Sequence, residues 1–437
     1  MRAIEKRIKE FYRKHDMDHE DLDIEKECGL FIEDMEKGLR GGESSLPMIP
    51  TYIEVDGNIP VNKRVIVLDA GGTNFRVATI YFTEQYRAVI ENFSTYTMPG
   101  SDRRVSKEEF FKLIAEYTSP VIKRSSNIGF CFSYPTEALP GKNGRLLYMS
   151  KEIQAKEIEG EVIGENMLAA LTEMGHTDKK HVVLLNDTVA TLLAGKAGHG
   201  SRIFSSYIGF ILGTGSNCCY IEKNKNIKKL KDLNQKKSQV INAESGAFGK
   251  AKRGDIDQRF DSMMVNPGVH TFEKMISGRY LGPLCGVIVG VAIEEGLFSK
   301  KSRKVSKGLE TVTTEDLNDF MNNPMSNTGN LVRFAGLNSE EDRVSLYHII
   351  DRLVERAAKL TAIHLSSFLI KTGEGNNPCF PVCITAEGTV FYGLKSFKEK
   401  VEYYLKDYLQ GKKKLYYEIV HIENATLIGA AVAGLTN

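Results

Sequence analysis

The sequence predicts an α/β protein of two lobes with an internal duplication. Its 437 residues exceed the roughly 250–300 at which a single hydrophobic core usually stops growing. Apolar strands end in glycine- and threonine-containing loops at residues 69–74 and 213–217, and each loop is followed by a second apolar strand. One such unit repeated roughly 140 residues later indicates a duplication. We therefore expect the functional cleft between two related lobes.

Two strand–loop–strand units carry this duplication. The first comprises Val65–Leu68 and Val77–Phe82, and the second comprises Tyr207–Leu212 and Cys218–Ile221. Each glycine loop joins two strands instead of opening a helix, which predicts a hairpin tip and neither a dinucleotide-binding turn nor a P-loop. Glycines let backbone N–H groups approach phosphate oxygens closely, and threonine hydroxyls and Arg76 add donors. A tight hairpin without a ligand is the alternative for either loop alone, but the pair favours a nucleotide in the cleft.

The N-terminal segment and one apolar run complete the secondary-structure prediction. Apolar residues between Ile4 and Leu39 recur at helical spacing among charges, which predicts two amphipathic helices separated by residues 15–23. Docking of this segment on an organelle surface is the alternative. The uncharged run Leu281–Ile293 is shorter than the roughly 20 residues of a membrane span, and it contains Pro283. We expect it to form a buried helix and the chain to lack a membrane span.

Composition and charge exclude several partners. The formal net charge of +2 provides no overall field for nucleic acid or an anionic membrane. Residues 223–237 hold seven lysines without interleaved aromatics, which favours a solvated loop over a polyanion site. The seven cysteines lack zinc-site spacing and fit a reducing compartment, and the first residues lack the apolar core of a signal peptide. These features predict a cytoplasmic protein.

An aspartate occupies the corner between a predicted strand and a predicted helix. Val182–Leu185 is apolar, Asn186, Asp187 and Thr188 follow, and the helix-like segment Val189–Ala194 comes next. Phosphoryl transfer to an alcohol needs a carboxylate within hydrogen-bond reach of the attacking hydroxyl, and a helix N-terminus keeps such a carboxylate ionised. The same residue types are ordinary helix caps. Asp187 is therefore a candidate general base, with simple capping as the alternative.

Polar side chains in loops after apolar runs are candidates for carbohydrate binding, because ring hydroxyls need several fixed hydrogen-bonding partners. These candidates are Ser133, Ser150, Lys151, Asn217, Glu244 and Glu273. Each alone has a structural explanation, such as a turn before Pro135 for Ser133 or an exposed helix position for Glu273. Spacing alone does not decide between the two interpretations.

A series of motifs resembles the hexokinase family. The matching segments, in the family order, are Leu68–Val77 (first phosphate motif), Gly129–Pro135 with Gly144–Leu147 and Ser150-Lys151 (sugar signature), Asn186–Gly195 (catalytic motif), Leu212–Asn217 (second phosphate motif), Ile241–Gly249, Asn266–Gly268 and Phe272–Gly278. The similarity runs from about Pro47 to the C-terminus. The order of the motifs over most of the chain argues against a chance match.

The resemblance implies an actin-like (ribonuclease H-like) two-domain sugar kinase with duplicated βββαβα cores and a cleft between the lobes. It implies Asp187 as the general base, and hexose binding by Ser133, Ser150, Lys151, Asn186, Asp187, Asn217, Glu244 and Glu273. It implies nucleotide binding by Asp69, Gly71, Gly72, Thr73, Asn74, Arg76, Gly213, Thr214, Gly215, Gly388 and Thr389. ATP and Mg²⁺ are the implied cofactors. No side chain is expected to ligate the metal directly, and Asp69 would act on it through water.

The chain departs from the family pattern at several positions. Ser150 replaces the usual threonine before the sugar-site lysine and keeps the hydroxyl. Ser245 stands where a tryptophan usually follows Glu244, which implies different packing behind that carboxylate. His270 replaces glutamine, and Glu387 replaces aspartate in the segment similar to the adenosine motif. The choice of sugar and nucleotide therefore stays open.

The resemblance also implies a domain order and a reaction. We expect an N-terminal helical segment on the large domain (1–60), a small α/β domain (61–185), a large α/β domain (186–423) and a C-terminal helix returning to the small domain (424–437). The implied reaction is ATP-dependent phosphorylation of a hexose at its 6-hydroxyl, the entry step of glycolysis, with glucose expected first and mannose or fructose as alternatives. A non-catalytic hexose sensor and an actin-like ATPase are the rival functions. We expect a hexose and Mg-ATP as ligands, no nucleic acid, and a monomer or homodimer.

Overall fold

The computed structural model describes residues 2–149, 153–198, 202–299, 308–334 and 339–437. The helices are α1 (Arg2–Lys14), α2 (Ile24–Arg40), α3 (Lys107–Thr118), α4 (Ile163–Glu173), α5 (Asp187–Ala197), α6 (Asp255–Ser262), α7 (Glu273–Ile276), α8 (Gly278–Glu294), α9 (Thr314–Asn322), α10 (Asn330–Phe334), α11 (Glu340–Thr372), α12 (Thr389–Gly393), α13 (Phe397–Leu405) and α14 (Ala425–Thr436). The strands are β1 (Ile49–Pro50), β2 (Val65–Ala70), β3 (Asn74–Phe82), β4 (Ala88–Thr97), β5 (Asn127–Phe132), β6 (Thr136–Ala138), β7 (Gly144–Leu146), β8 (His181–Leu185), β9 (Ser206–Leu212), β10 (Ser216–Lys223), β11 (Ser238–Asn242), β12 (Val382–Glu387) and β13 (Tyr417–Val420).

Two mixed sheets share one strand order. The sheet of the smaller lobe runs β4-β3-β2-β5-β8, and that of the larger lobe runs β11-β10-β9-β12-β13 with β1 added beside β11. In each sheet the first three strands form an antiparallel meander, and the last two run parallel to the central strand. Central strands such as β2 are buried along their whole length, as their β-branched composition predicts. The shared order confirms the internal duplication and the predicted fold class.

Both glycine loops are hairpin tips, as predicted. The loop between β2 and β3 closes with a hydrogen bond from the N–H of Gly71 to the carbonyl of Asn74 at 3.0 Å. The loop between β9 and β10 closes with a hydrogen bond from the N–H of Gly213 to the carbonyl of Gly215, also at 3.0 Å. The threonine at each tip is exposed. Each lobe therefore presents one hairpin tip with an exposed threonine.

The N-terminal segment forms two amphipathic helices, as predicted. Helices α1 and α2 pack against the long helix α11 and bury Ile8, Phe11 and Phe31. The apolar run 281–293 is a buried helix, α8, which contains Pro283. Across the described ranges, none of the helices combines the length and the apolar character needed to cross a membrane. The lobe boundaries at residues 61, 186 and 424 stay predictions.

Helices α5 and α14 cross where the two lobes meet. Helix α14 packs on β2 and β5 of the smaller sheet, and α5 packs on β9 and β12 of the larger sheet. A Cβ atom on Gly429 of α14 would lie 1.8 Å from the carbonyl oxygen of Ala190 in α5. A Cβ atom on Gly129 of β5 would lie 1.8 Å from the carbonyl oxygen of Ala430. The backbones are so close that only glycine fits at these two positions.

We expect Gly429→Ala to lower the free energy of unfolding by about 3 kcal/mol or more, because the added methyl group overpacks a closed site. Gly290→Ala in α8 is the matched control, since no heavy atom beyond its chain neighbours and its own helix backbone lies within 4 Å of the added carbon. The better helix propensity of alanine predicts a gain of roughly 0.5–1 kcal/mol there. Denaturant titration followed by circular dichroism measures both changes. Equal effects at the two positions would contradict the close-packing argument.

Candidate active site

Asp187 is the first residue of α5, and one residue, Asn186, separates it from the end of strand β8. The helix N-cap is Asn186, whose side chain accepts the N–H of Thr188 at 2.9 Å. Asp187 Oδ1 accepts the same N–H at 2.7 Å and the Thr188 hydroxyl at 3.2 Å. Because Asn186 supplies the cap, the helix start does not need Asp187 for that purpose.

The environment of Asp187 makes it a stronger base than an ordinary aspartate. Burial raises its pKa, hydrogen bonds from Thr188 and Ser133 lower it, and the charge of Asp69 raises it. Ser133 follows β5, the parallel neighbour of β8, so the ends of two adjacent strands bring the two side chains together. A raised pKa favours proton acceptance from a hydroxyl near neutral pH.

Glu244 belongs to the larger lobe and lies close enough to Asp187 for the two charges to interact. Its backbone is left-handed, with φ of 51°. Its Oε1 accepts the side-chain amide of Asn242 at 2.8 Å and that of Asn217 at 3.3 Å. Burial raises the pKa of Glu244 to about 7, and the charges of Asp187 and Glu273 contribute to the rise. Three carboxylates are therefore close enough to influence one another.

Glu273 is anchored to the second hairpin. Its Oε2 accepts the backbone N–H of Ser216 at 2.8 Å. Glycines make room for this carboxylate: a Cβ atom on Gly215 would lie 2.8 Å from Oε2, and one on Gly246 would lie 3.1 Å from it. Burial raises the pKa of Glu273, and the Ser216 N–H and then His270 act in the opposite direction.

The carboxylates of Asp187, Glu244 and Glu273 make the cleft rich in hydrogen-bond acceptors. An ionised carboxylate accepts hydrogen bonds but cannot donate them. Burying such groups is unfavourable unless donors satisfy them. A neutral ligand with several hydroxyl groups supplies those donors without adding negative charge. The arrangement therefore suits a polyhydroxylated substrate.

The first hairpin is tied to the C-terminal helix. Asp69 is 1% exposed and forms an ion pair with the guanidinium of Arg76. The Thr426 hydroxyl donates to Asp69 Oδ2 at 3.0 Å, and Arg76 donates to Thr426 Oγ1 at 3.2 Å. The Tyr134 hydroxyl, one residue after Ser133, donates to the Gly71 carbonyl at 2.6 Å. Sequence reasoning missed Thr426 and Tyr134 as supports of this hairpin.

A cavity of about 600 Å³ opens beside the second hairpin. Its lining residues are Thr214, Gly278, Arg279, Thr314, Glu315, Asn318, Thr389, Val390, Gly393 and Leu394. Two of them, Thr214 and Thr389, were predicted to bind nucleotide. Gly388 packs against the same hairpin, where a Cβ atom would lie 2.2 Å from the Leu212 carbonyl oxygen. The contributions of α8 and α9 were missed, because only tertiary packing brings these helices to the hairpin.

The structure thus brings most of the predicted residues to one cleft. Ser133, Asp187, Glu244 and Glu273 surround the acceptor-rich region, Asn217 supports Glu244, and Gly72, Thr73 and Asn74 form the exposed tip of the first hairpin. Ser150 and Lys151 lie outside the described residues. Within the described ranges, one cluster of side chains has the types and spacing that could hold a metal ion: Asp18, His19 and Glu20. This cluster lies in the N-terminal segment and not in the cleft.

Comparisons with known proteins agree with this geometry. Two family models, both described as hexokinase, match residues 7–197 and 207–436. Glucokinase-1 of Kluyveromyces lactis is 30% identical over 390 residues, which cover 79% of this chain and 80% of that protein. Hexokinase-1 of Schizosaccharomyces pombe is 28% identical over 424 residues, 92% of this chain and 85% of that protein. Hexokinase-2 of Rattus norvegicus is 30% identical, but the match covers only 39% of that longer protein.

Solved structures show the same fold. The hexokinase of Schistosoma mansoni, complexed with glucose, superposes with a TM-score of 0.79 over 99% of each chain at 24% sequence identity. A second hexokinase crystal structure gives a TM-score of 0.76 at 20% identity, again over 99% of each chain. Fold and site together define a two-lobed α/β kinase of the actin-like class. The chain belongs to the hexokinase family, whose activity is hexose phosphorylation.

Glu244 gives the site a testable pH dependence. Its pKa is about 7 in the folded protein and near its ordinary value of 4.5 in the unfolded chain. The folded state therefore binds more protons between these values, and stability falls as the pH rises through this window. We expect Glu244→Gln to raise the thermal midpoint by roughly 1–3 °C at pH 8 and by less at pH 5.

Differential scanning calorimetry without ligand measures this difference. Glu33→Gln on the surface of α2 is the control, because Glu33 is exposed and its pKa is lowered by Lys37 instead of raised. A gain for Glu244→Gln that is the same at both pH values, or a loss at pH 8, would show that Glu244 carries no buried-charge penalty.

Proposed function

We propose that this protein transfers the γ-phosphoryl group of ATP to the 6-hydroxyl of a hexose, with Asp187 as the general base. The observation that carries the proposal is the position of Asp187. Asp187 lies at the start of α5. Its charge interacts with that of Asp69, at the base of the first hairpin, and with that of Glu244, in the acceptor-rich region. A hydroxyl held by that region would meet the base and the phosphate donor together.

The proposed hexose ligands come from both lobes. Ser133 and Asp187 lie at strand ends of the smaller sheet, and Asn217, Glu244 and Glu273 belong to the larger lobe. Asn186, Ser150 and Lys151 join this set through the family resemblance. Glucose is the first candidate, supported by the glucose bound to the related Schistosoma mansoni hexokinase, with mannose and fructose as alternatives. The product, a hexose 6-phosphate, would enter glycolysis.

The proposed nucleotide site combines the two hairpins with the 600 Å³ cavity. The tips at residues 71–74 and 213–215, together with Arg76, would hold the phosphates, since glycine backbones and cationic donors suit phosphate oxygens. The adenosine would occupy the cavity between α8, α9 and α12, which Gly388 and Thr389 border.

The residues present fit a magnesium ion carried by the nucleotide. Asp69 Oδ2 is already engaged by Arg76 and Thr426, so Asp69 is suited to contact such an ion through water and not as a direct ligand. When bound, Mg²⁺ neutralises charge on the β- and γ-phosphates. Asp69 also orients Arg76 beside the hairpin tip, which is a role that needs no metal.

Closure of the lobes would complete the site. A hexose bridging Ser133 on one side and Glu244 and Glu273 on the other would draw the lobes together and expel water. Asp187 then accepts the proton of the 6-hydroxyl as that oxygen bonds to the γ-phosphorus. The bond from the γ-phosphorus to the bridging oxygen breaks, and ADP leaves. Water exclusion protects the phosphoryl group from hydrolysis, which distinguishes this reaction from that of an ATPase without a sugar substrate.

We expect Asp187→Ala to reduce kcat by about 10²–10⁴-fold, because general-base catalysis contributes that range. Folding should persist, since Asn186 still caps α5, and most of the hexose affinity should remain, because the other proposed hexose ligands are unchanged. Asp178→Ala in the exposed loop before β8 is the matched control and should keep wild-type turnover. A coupled assay of ADP release measures kcat, and calorimetry measures hexose binding. If Asp187→Ala keeps more than half of the wild-type turnover, the base is a different residue.

A further inference from the structure

Helix α2 lies directly against the two loops that carry Glu244 and Glu273. Phe31 of α2 is fully buried. Its ring stacks on Phe248 with centroids 4.0 Å apart and meets Phe272 edge-on at 5.6 Å. Phe248 ends the short helical turn that follows Glu244, and Phe272 immediately precedes Glu273. One side chain of the N-terminal segment therefore supports both loops.

The aromatic cluster around Phe31 belongs to several distant elements. His364 of α11 stacks on Phe31 with ring centroids 5.3 Å apart, and Phe368 meets it edge-on at 5.9 Å. Burial lowers the pKa of His364 to about 3, so the imidazole is neutral at physiological pH. Ser245 is fully buried and provides no aromatic surface behind Glu244. Rings from α2 and α11 thus supply the apolar support on this side of the loops.

A second, polar set of contacts joins α2 to the Glu244 loop. Asp34 of α2 is fully buried and accepts the N–H of Ser45 at 3.1 Å and the Ser45 hydroxyl at 2.5 Å. The Ser45 Oγ atom in turn accepts the N–H of Gly249 at 2.9 Å. The ammonium group of Lys250 lies 2.5 Å from the other carboxylate oxygen of Asp34. Asp34 thereby fixes the chain five and six residues after Glu244.

Backbone contacts extend this support to the residues before Glu244 and to the second loop. The segment after α2 runs beside β11, and the Met48 N–H donates to the Ala243 carbonyl at 3.3 Å. The Thr271 hydroxyl donates to the Phe248 carbonyl at 3.2 Å, which joins the two glutamate loops to each other. The loops are therefore held on both sides of Glu244 by residues 24–50.

We propose that Phe31 and Asp34 are positioning residues for hexose binding, so that the N-terminal segment sets the hexose affinity of the site. The inference rests on the proposed function, because it takes Glu244 and Glu273 as hexose ligands. A displacement of a carboxylate by a fraction of an ångström weakens its hydrogen bonds to a rigid ring. Phe31 and Asp34 contact the loops that carry the proposed hexose ligands Glu244 and Glu273. The KM for ATP should therefore change little.

The test compares Phe31→Leu and Asp34→Asn with the wild-type protein in steady-state assays. Phe31→Leu keeps an apolar side chain but removes the flat ring, and Asp34→Asn keeps the shape but removes the charge that pairs with Lys250. We expect the hexose KM to rise about tenfold in each variant, while the KM for ATP and kcat change by about twofold or less.

Phe11→Leu is the matched control for loss of stability. Phe11 is a buried aromatic residue of the neighbouring helix α1, and its described ring contacts are Tyr12 and His15. Phe11→Leu should lower the thermal midpoint about as much as Phe31→Leu does and should leave the hexose KM unchanged. A wild-type hexose KM in Phe31→Leu and Asp34→Asn, or the same KM rise in Phe11→Leu, would overturn the positioning role.

Glu244→Gln, measured in parallel, distinguishes failure of the proposed role of α2 from failure of the proposed hexose site. A raised hexose KM in Glu244→Gln with normal values in the α2 variants refutes the role of α2 alone. A normal hexose KM in Glu244→Gln refutes the proposed hexose site itself. A raised hexose KM in Glu244→Gln and in both α2 variants supports the positioning role of α2.

Discussion

The burial of Asp187, Glu244 and Glu273 around one cleft is the constraint on which the rest of the structure depends. Burial raises the pKa of all three carboxyl groups, and the charges of Asp187 and Glu273 raise that of Glu244 further. The fold tolerates this because amides, a backbone N–H and hydroxyls hold each carboxylate. Ligand hydroxyls would satisfy the remaining acceptor capacity. A ligand that supplies such hydroxyl donors would therefore stabilise the site.

The duplication places equivalent helix starts, one with Asp187 and one with Thr426, after the last strand of each sheet. In both sheets a central hairpin ends in a glycine-containing tip, and two parallel strands lie beside it. Asp187 begins the helix after the last strand of one sheet, and Thr426 lies in the helix after the last strand of the other. The close crossing of α5 and α14 links these two helix starts. A shift at the crossing would therefore move Asp187 and the first hairpin relative to each other.

Local signals made part of this structure predictable. The apolar strands at 65–68 and 207–212, the glycine tips between strands, and the strand-to-helix corner at Asp187 all formed as expected, because each depends on neighbouring residues. The contact of Thr426 with Asp69 joins residues 357 positions apart, and the cavity lining from α8 and α9 depends on tertiary packing. The support of the glutamate loops by Phe31 had no sequence signal beyond helical spacing, since an apolar residue on α2 does not indicate what it packs against.

The most direct test of the central claim is ADP release by the wild-type protein with and without added hexose. If the cleft is a hexose site that closes before phosphoryl transfer, glucose should stimulate ADP release at least about 10²-fold over the sugar-free rate, with hexose 6-phosphate formed in equal amount. ADP release at the same rate without sugar would identify an ATPase. Thermal stabilisation by glucose without turnover would identify a sensor. Either of these two results would contradict the account.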